Sequence, residues 1–249
     1  MKELQDQQML SIFKREFKES LSSPLFYILC AIFSAIVGWI FYNYILASKE
    51  HTGASLTQNV LIPLFNIISF LFMILTPMLT MNTFCEENKS GTLDLLLRSK
   101  VSIWKIIIGK FLSNLTMISI MLGLSFICPI VLMFSGYSDW GVVFSAYLGL
   151  LLNISCFVVV GMFASSLSEN QIVSAFISFA ILISILLLNL SANSTNNFIV
   201  GQIFSYMNNS FHFSFMVKGD LRSYSFVYFF SFIGLFMLFI NKSLDSRRW

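Results

Sequence analysis

The side chains able to do chemistry are few here, and many of them stand together between two apolar runs. In EENKSGTLDLLLRSKVSIWKIIIGK, Glu86 to Lys110, charges of both signs crowd at a spacing not repeated elsewhere in the interior. The usual catalytic sets are missing. The sequence has no Ser–His–Asp arrangement, no HExxH, no paired carboxylates inside an apolar run and no GxxxxGK[ST] loop to cradle phosphates. The chain is therefore not expected to be an enzyme or to hydrolyse ATP itself. His51 and His212 lack a second ligand at metal spacing, so no metal is expected. Cys30, Cys85, Cys128 and Cys156 lie in or beside apolar runs without CxxC spacing and read as small buried hydrophobes.

The elements that must hold the charged segment follow from composition. Of 249 residues 57% are hydrophobic and 11% charged, with a mean hydropathy of +0.80. A soluble domain carries about 25% charged residues, so this chain lacks the charge to cover a water-facing surface. Six continuously apolar runs are long enough to cross a hydrocarbon core as helices: Leu25–Ala47, Val60–Met81, Phe111–Phe134, Val142–Ala164, Ile172–Leu190 and Tyr224–Ile240. The expected fold class is an all-α polytopic membrane protein with six transmembrane helices. The mixed-charge lead before the first run does not resemble a cleavable signal.

Twelve of the 15 Lys and Arg residues fall on one side of that topology. They are Lys2, Lys14, Arg15 and Lys18 before the first span, Lys89, Arg98, Lys100, Lys105 and Lys110 after the second, and Lys242, Arg247 and Arg248 at the end. Lys49, Lys218 and Arg222 fall on the other side. Basic residues collect on the cytoplasmic side, so both termini and the opening segment are expected there. Within residues 1–24, Leu10, Phe13, Phe17 and Leu21 share one helical face. That suits a helix in the membrane interface, or one packed on a soluble partner, with a break at Pro24. The loop 191–223 is rich in Asn and Ser yet holds Phe204, Tyr206, Phe211, Phe213 and Phe215, which predicts short helices at the outer interface.

No ionisable residue is expected well inside a span. Asn66, Asn114 and Asn153 are the neutral polar candidates, either lining a route or bonding across helices. A carrier driven by an ion gradient normally needs buried charge near the midplane, so the driving force is expected from outside the chain. In the opening segment, Glu86 and Glu87 precede a turn over Asn88–Gly91, Thr92 suits a helix N-cap, and Asp94 suits the first turn. Leu93, Leu96 and Leu97 share a face, and Asp94 and Arg98 are spaced for an ion pair. Trp104 is expected at headgroup level, with Lys105 and Lys110 snorkelling to water. On the residues alone this is either a solvated loop or a docking helix.

The order EE…SGTLDLLL…VSxWKIIIGK resembles the signature of ABC type-2 permeases, in particular the GldF/NosY-like group. FKREFKESLSSPLFYILCAIF resembles that family's N-terminal elbow helix leading into its first span. SSLSENQIVSAF is similar to its loop between the fourth and fifth spans, and the closing segment to Arg-Arg-Trp is similar as well. Asp94 stands where many relatives carry Glu.

The resemblance implies one transmembrane domain over 1–249, with an elbow helix in 1–24 and a coupling segment in 84–104. It implies pairing with a second membrane subunit, identical or different, and with cytoplasmic ABC ATPase subunits that hold ATP and Mg. No cofactor in this chain and no nucleic acid are implied, and the setting is a bacterial inner membrane among lipids. By motif, Glu86, Glu87, Gly91, Thr92, Leu93, Asp94 and Leu97 would contact the ATPase, with Glu169, Asn170 and Gln171 as a second, smaller contact. The implied function is an exporter permease; the alternative is a membrane part of an assembly or force-relay complex that moves no solute.

Overall fold

The computed structural model describes residues 2–50, 56–92, 102–134, 139–194 and 198–246, and the regular elements among them are all helical. Helix α1 (Lys2–Ser22) is followed at once by α2 (Pro24–Glu50). Proline suits a first helical position, where its missing N–H would have no partner anyway, so the chain turns at Ser23. A π-helical turn, Thr57–Leu61, feeds α3 (Ile62–Thr80), and Met81 alone separates α3 from α4 (Asn82–Lys89). Helix α5 (Ile103–Leu124) stops short of Pro129, whose ring clashes with the carbonyl four residues earlier. After a turn at Ser125 and Phe126 comes α6 (Ile127–Phe134). Then follow α7 (Trp140–Leu167), α8 (Gln171–Ser194), α9 (Phe198–Tyr206), α10 (Asn209–Val217) and α11 (Ser223–Asp245).

Six stretches are long and apolar enough to cross a membrane: Pro24–Ser48, Thr57–Lys89, Ile103–Phe134, Trp140–Leu167, Gln171–Leu188 and Ser223–Asp245. Each contains or closely matches one expected run. The second and third differ most at their ends, because the helical rods continue through Glu86–Lys89 and begin before Lys105–Lys110. Helix propagation adds one backbone hydrogen bond per residue whatever the side chain, so apolarity does not mark where a rod stops.

Helix α7 is the axis of the bundle. It packs against α3, α4, α5, α8, α10 and α11, and all its residues from Asn153 to Met162 are buried. Small residues let neighbours come close. Gly149 lies against Met216 and Gly161 against Thr80, where an added Cβ would meet the Thr80 side chain. Polar groups in this core bond across helices: Asn153 Nδ2 donates to Ser69 Oγ at 2.8 Å, and Ser145 Oγ to the Met216 carbonyl at 2.8 Å. The outer helices instead expose large apolar side chains such as Trp39, Phe176 and Phe230, a surface that only lipid or another subunit covers favourably.

Within 191–223 lie the short helices α9 and α10. His212, expected on a loop, is buried on α10 and stacks on Tyr228 with ring centroids 4.1 Å apart. Its Nε2 lies 3.0 Å from the Tyr206 carbonyl and its Nδ1 3.3 Å from Ser225 Oγ. Burial lowers its pKa below the ordinary value, against a smaller opposing effect from the Tyr206 bond.

Two outcomes follow. Gly161→Ala is expected to destabilise the fold by about 1–3 kcal/mol through overpacking against Thr80. Gly38→Ala, with nothing within 4 Å of the new Cβ, should lose no stability; thermal unfolding in detergent compares them. For His212, the unfolded chain binds a proton more readily than the folded one. Stability should therefore be flat above about pH 6.5 and fall as pH drops below it, a slope that His212→Gln removes in melting curves taken across that range.

Candidate functional site

The charged end of the bundle is built on the break at Met81. A helix interrupted there leaves N–H groups at the start of α4 without their usual carbonyls. Ser165 of α7 fills the gap: its Oγ accepts from the Phe84 and Cys85 N–H groups at 2.9 and 3.1 Å and donates to the Met81 carbonyl at 2.9 Å. One hydroxyl thus ties the start of α4 to the axis helix.

This placement carries Glu87 into a closed ring of alternating charges. Arg15 Nη2 donates to Glu16 Oε1 at 2.8 Å and to Glu87 Oε1 at 2.9 Å. Lys110 Nζ reaches the same two oxygens at 3.0 and 3.1 Å, and its third donor goes to the Thr83 carbonyl at 2.7 Å. Lys110 is only 1% exposed, whereas Arg15 is 53% exposed. An ammonium taken out of water costs several kcal/mol unless all its donors are met, and here all three are. The open Arg15 edge contributes little by comparison. The expectation that Lys110 snorkels to water is therefore corrected: α1 lies along α5 and covers it. Phe17 and Leu21 of α1 pack on the core, while Leu10 stays exposed.

Glu86 points elsewhere. It is exposed, and its Oε1 accepts from Gln171 Nε2 at 3.1 Å. That bond joins two segments 85 residues apart in sequence. Of the neighbouring candidates, Asn170 accepts from the Ile172 N–H at 2.9 Å, as a helix-capping side chain does, and Glu169 is exposed. Gly91 closes α4 with φ of +69°, a left-handed conformation costly for other residues. Thr92 Oγ1 lies 2.8 Å from Ser90 Oγ. Leu93, Asp94 and Leu97 lie outside the described residues, as do the Asp94–Arg98 pair and His51.

The three asparagines separate. Asn153 bonds to Ser69 in the core, Asn114 Nδ2 donates to Thr83 Oγ1 at 3.0 Å near the charged ring, and Asn66 is exposed on α3. Arg15, Glu16 and Lys110 are the members that sequence reasoning did not assign. The available signal was the run Ile106-Ile107-Ile108-Gly109-Lys110, a lysine inside an apolar helix, which calls for a partner when it cannot reach water. Among the described residues, no group of three or more His, Cys, Asp or Glu side chains is placed to hold a metal.

Compared with known families, residues 10–239 match the model described as ABC-2 family transporter protein. The chain belongs to that family. It is a multi-pass membrane component of an ABC transporter, a class of subunit that is generally non-catalytic and normally works with ABC ATPase subunits. No curated protein matches the chain.

For this ABC-2 family member, Lys110→Met should cost about 3–5 kcal/mol, because Glu16 and Glu87 are left facing each other without their buried cation. Combining it with Glu16→Gln and Glu87→Gln should recover most of the loss. Thermal unfolding of the purified chain reads both; equal melting of the single and triple variants would remove the ring from its structural role.

Proposed function

We propose that the chain is the permease subunit of an ABC exporter of the GldF/NosY-like group, with residues 1–249 acting as one transmembrane domain. It supplies half of a translocation pathway, a second membrane subunit supplies the other half, and separate ATPases holding ATP and Mg drive it from the cytoplasmic side of a bacterial inner membrane. Residues 1–24 serve as the elbow helix and 84–104 as the coupling segment, with 191–223 on the outer side. The reading rests on the family match over residues 10–239, and one juxtaposition supports it most directly. Glu86 and Gln171, one from each segment whose motif implies ATPase contact, are hydrogen-bonded at one end of the bundle. A partner seated there touches both segments at once.

In this reading Glu86, Gly91, Thr92, Leu93, Asp94 and Leu97 meet the ATPase, with Glu169, Asn170 and Gln171 as the second contact. Glu87 acts one step behind, because its carboxylate is already engaged by Arg15 and Lys110. Closure of the ATP-bound dimer displaces α4, and the charged ring passes that displacement to α1 and α5. The free energy comes from the difference in ATPase affinity between two states of the permease.

The engaged state of Glu87 makes Glu86→Lys the cleaner test. This exposed change is expected to lower permease-stimulated ATP hydrolysis by about tenfold, equivalent to about 1.4 kcal/mol of coupling, while the permease itself melts as before. The measurement is ATPase activity and co-purification of the assembled complex in nanodiscs. Wild-type assembly and turnover in this variant would refute the contact.

A further inference from the structure

Beside the charged ring, a cavity of ≈ 220 Å³ lies among α1, α2, α3, α4 and α5. One part of its wall is apolar, including Phe26, Met78 and Met117; another carries the carboxylates of Glu16, Glu19 and Glu86. Lys110 also lines it, but its three donors are already used by Glu16, Glu87 and Thr83. Three carboxylates against one ammonium leave the lining charge negative, with the Lys110 donors used inside the ring.

Two polar atoms in the wall sharpen this. Ser113, 2% exposed, has a buried Oγ without a partner, and so does Asn82 at its Oδ1. A helical serine commonly donates its hydroxyl back to the carbonyl three or four residues earlier in its own helix, and an unmatched buried polar atom costs free energy. The cavity shares residues with a wider hollow of ≈ 700 Å³ that reaches Ser90 and Thr92. On the other side, Phe70, Ile74 and Met78 expose an apolar row on α3. Successive members are four residues apart, and the next position along the row is Asn82 in the cavity wall.

We propose that this cavity binds the head of a phospholipid bearing a protonated primary amine, with an acyl chain lying along Phe70, Ile74 and Met78. The ammonium supplies positive charge to the carboxylates and N–H donors to Ser113 Oγ and Asn82 Oδ1. A trimethylated ammonium has the charge but no N–H, and an anionic head without an amine meets repulsion from the carboxylates. The apolar row next to the head site selects a lipid over a free amine. This inference needs only the membrane-spanning fold and stands apart from ATPase docking.

The test uses the full chain, delipidated in detergent, with native mass spectrometry of added phosphatidylethanolamine, phosphatidylcholine, phosphatidylglycerol or spermidine. Phosphatidylethanolamine should be retained about tenfold better than the other two lipids, a difference of about 1.4 kcal/mol. Glu19→Gln, an exposed and structurally mild change, and Ser113→Val should each reduce its retention toward the phosphatidylcholine level without altering phosphatidylcholine retention. Equal retention of the three lipids, unchanged selectivity in the folded Glu19→Gln variant, or spermidine bound as tightly as the amine lipid would each overturn the proposal. A dimer that carries no lipid would do so too, by assigning the apolar row to a second copy.

Discussion

The ammonium of Lys110 sets the terms for one whole end of this molecule. A lysine so far along an apolar helix has no water to reach once α1 covers it, and its desolvation must be matched donor by donor. The matching groups come from three places: Glu16 on α1, Glu87 on α4 and the Thr83 carbonyl where α4 begins. Each partner fixes the position of the element that carries it. The ring therefore joins helices that are distant in sequence.

A second joint holds that arrangement to the bundle. The break at Met81 would leave backbone groups without partners in a setting where water cannot replace them. Ser165 meets two N–H groups and one carbonyl with a single hydroxyl. The same helix, α7, provides Gly161 against Thr80 and Gly149 against Met216. Small residues bring the helices close, and a few hydrogen bonds set their register, which is the expected division of labour where lipid removes the hydrophobic drive between helices. Around this axis the first, fifth and sixth spans keep much of their apolar surface outward, ready for lipid or a second subunit.

The two neighbouring glutamates differ in their surroundings. Glu87 is committed inward to the ring, and Glu86 faces outward beside Gln171. One is held in an ion-pair ring and the other is exposed, although the sequence presents them as an identical pair. The chain belongs to the ABC-2 family, whose membrane subunits normally work with ABC ATPase subunits.

Much of this was legible in the sequence. Apolar run length fixes the number of crossings because the hydrocarbon thickness is fixed, and proline and glycine mark the break before α2 and the close of α4 by backbone geometry alone. The motif order identified the family. The role of Lys110 was not legible, because snorkelling and burial differ only in whether another helix covers the side chain. That depends on α1 lying along α5, a contact between residues 94 positions apart. Nor could the sequence divide Glu86 from Glu87, since neighbouring helical residues point about 100° apart. Which of them faces the core was decided by the Ser165-held break at Met81, and so by the tertiary structure.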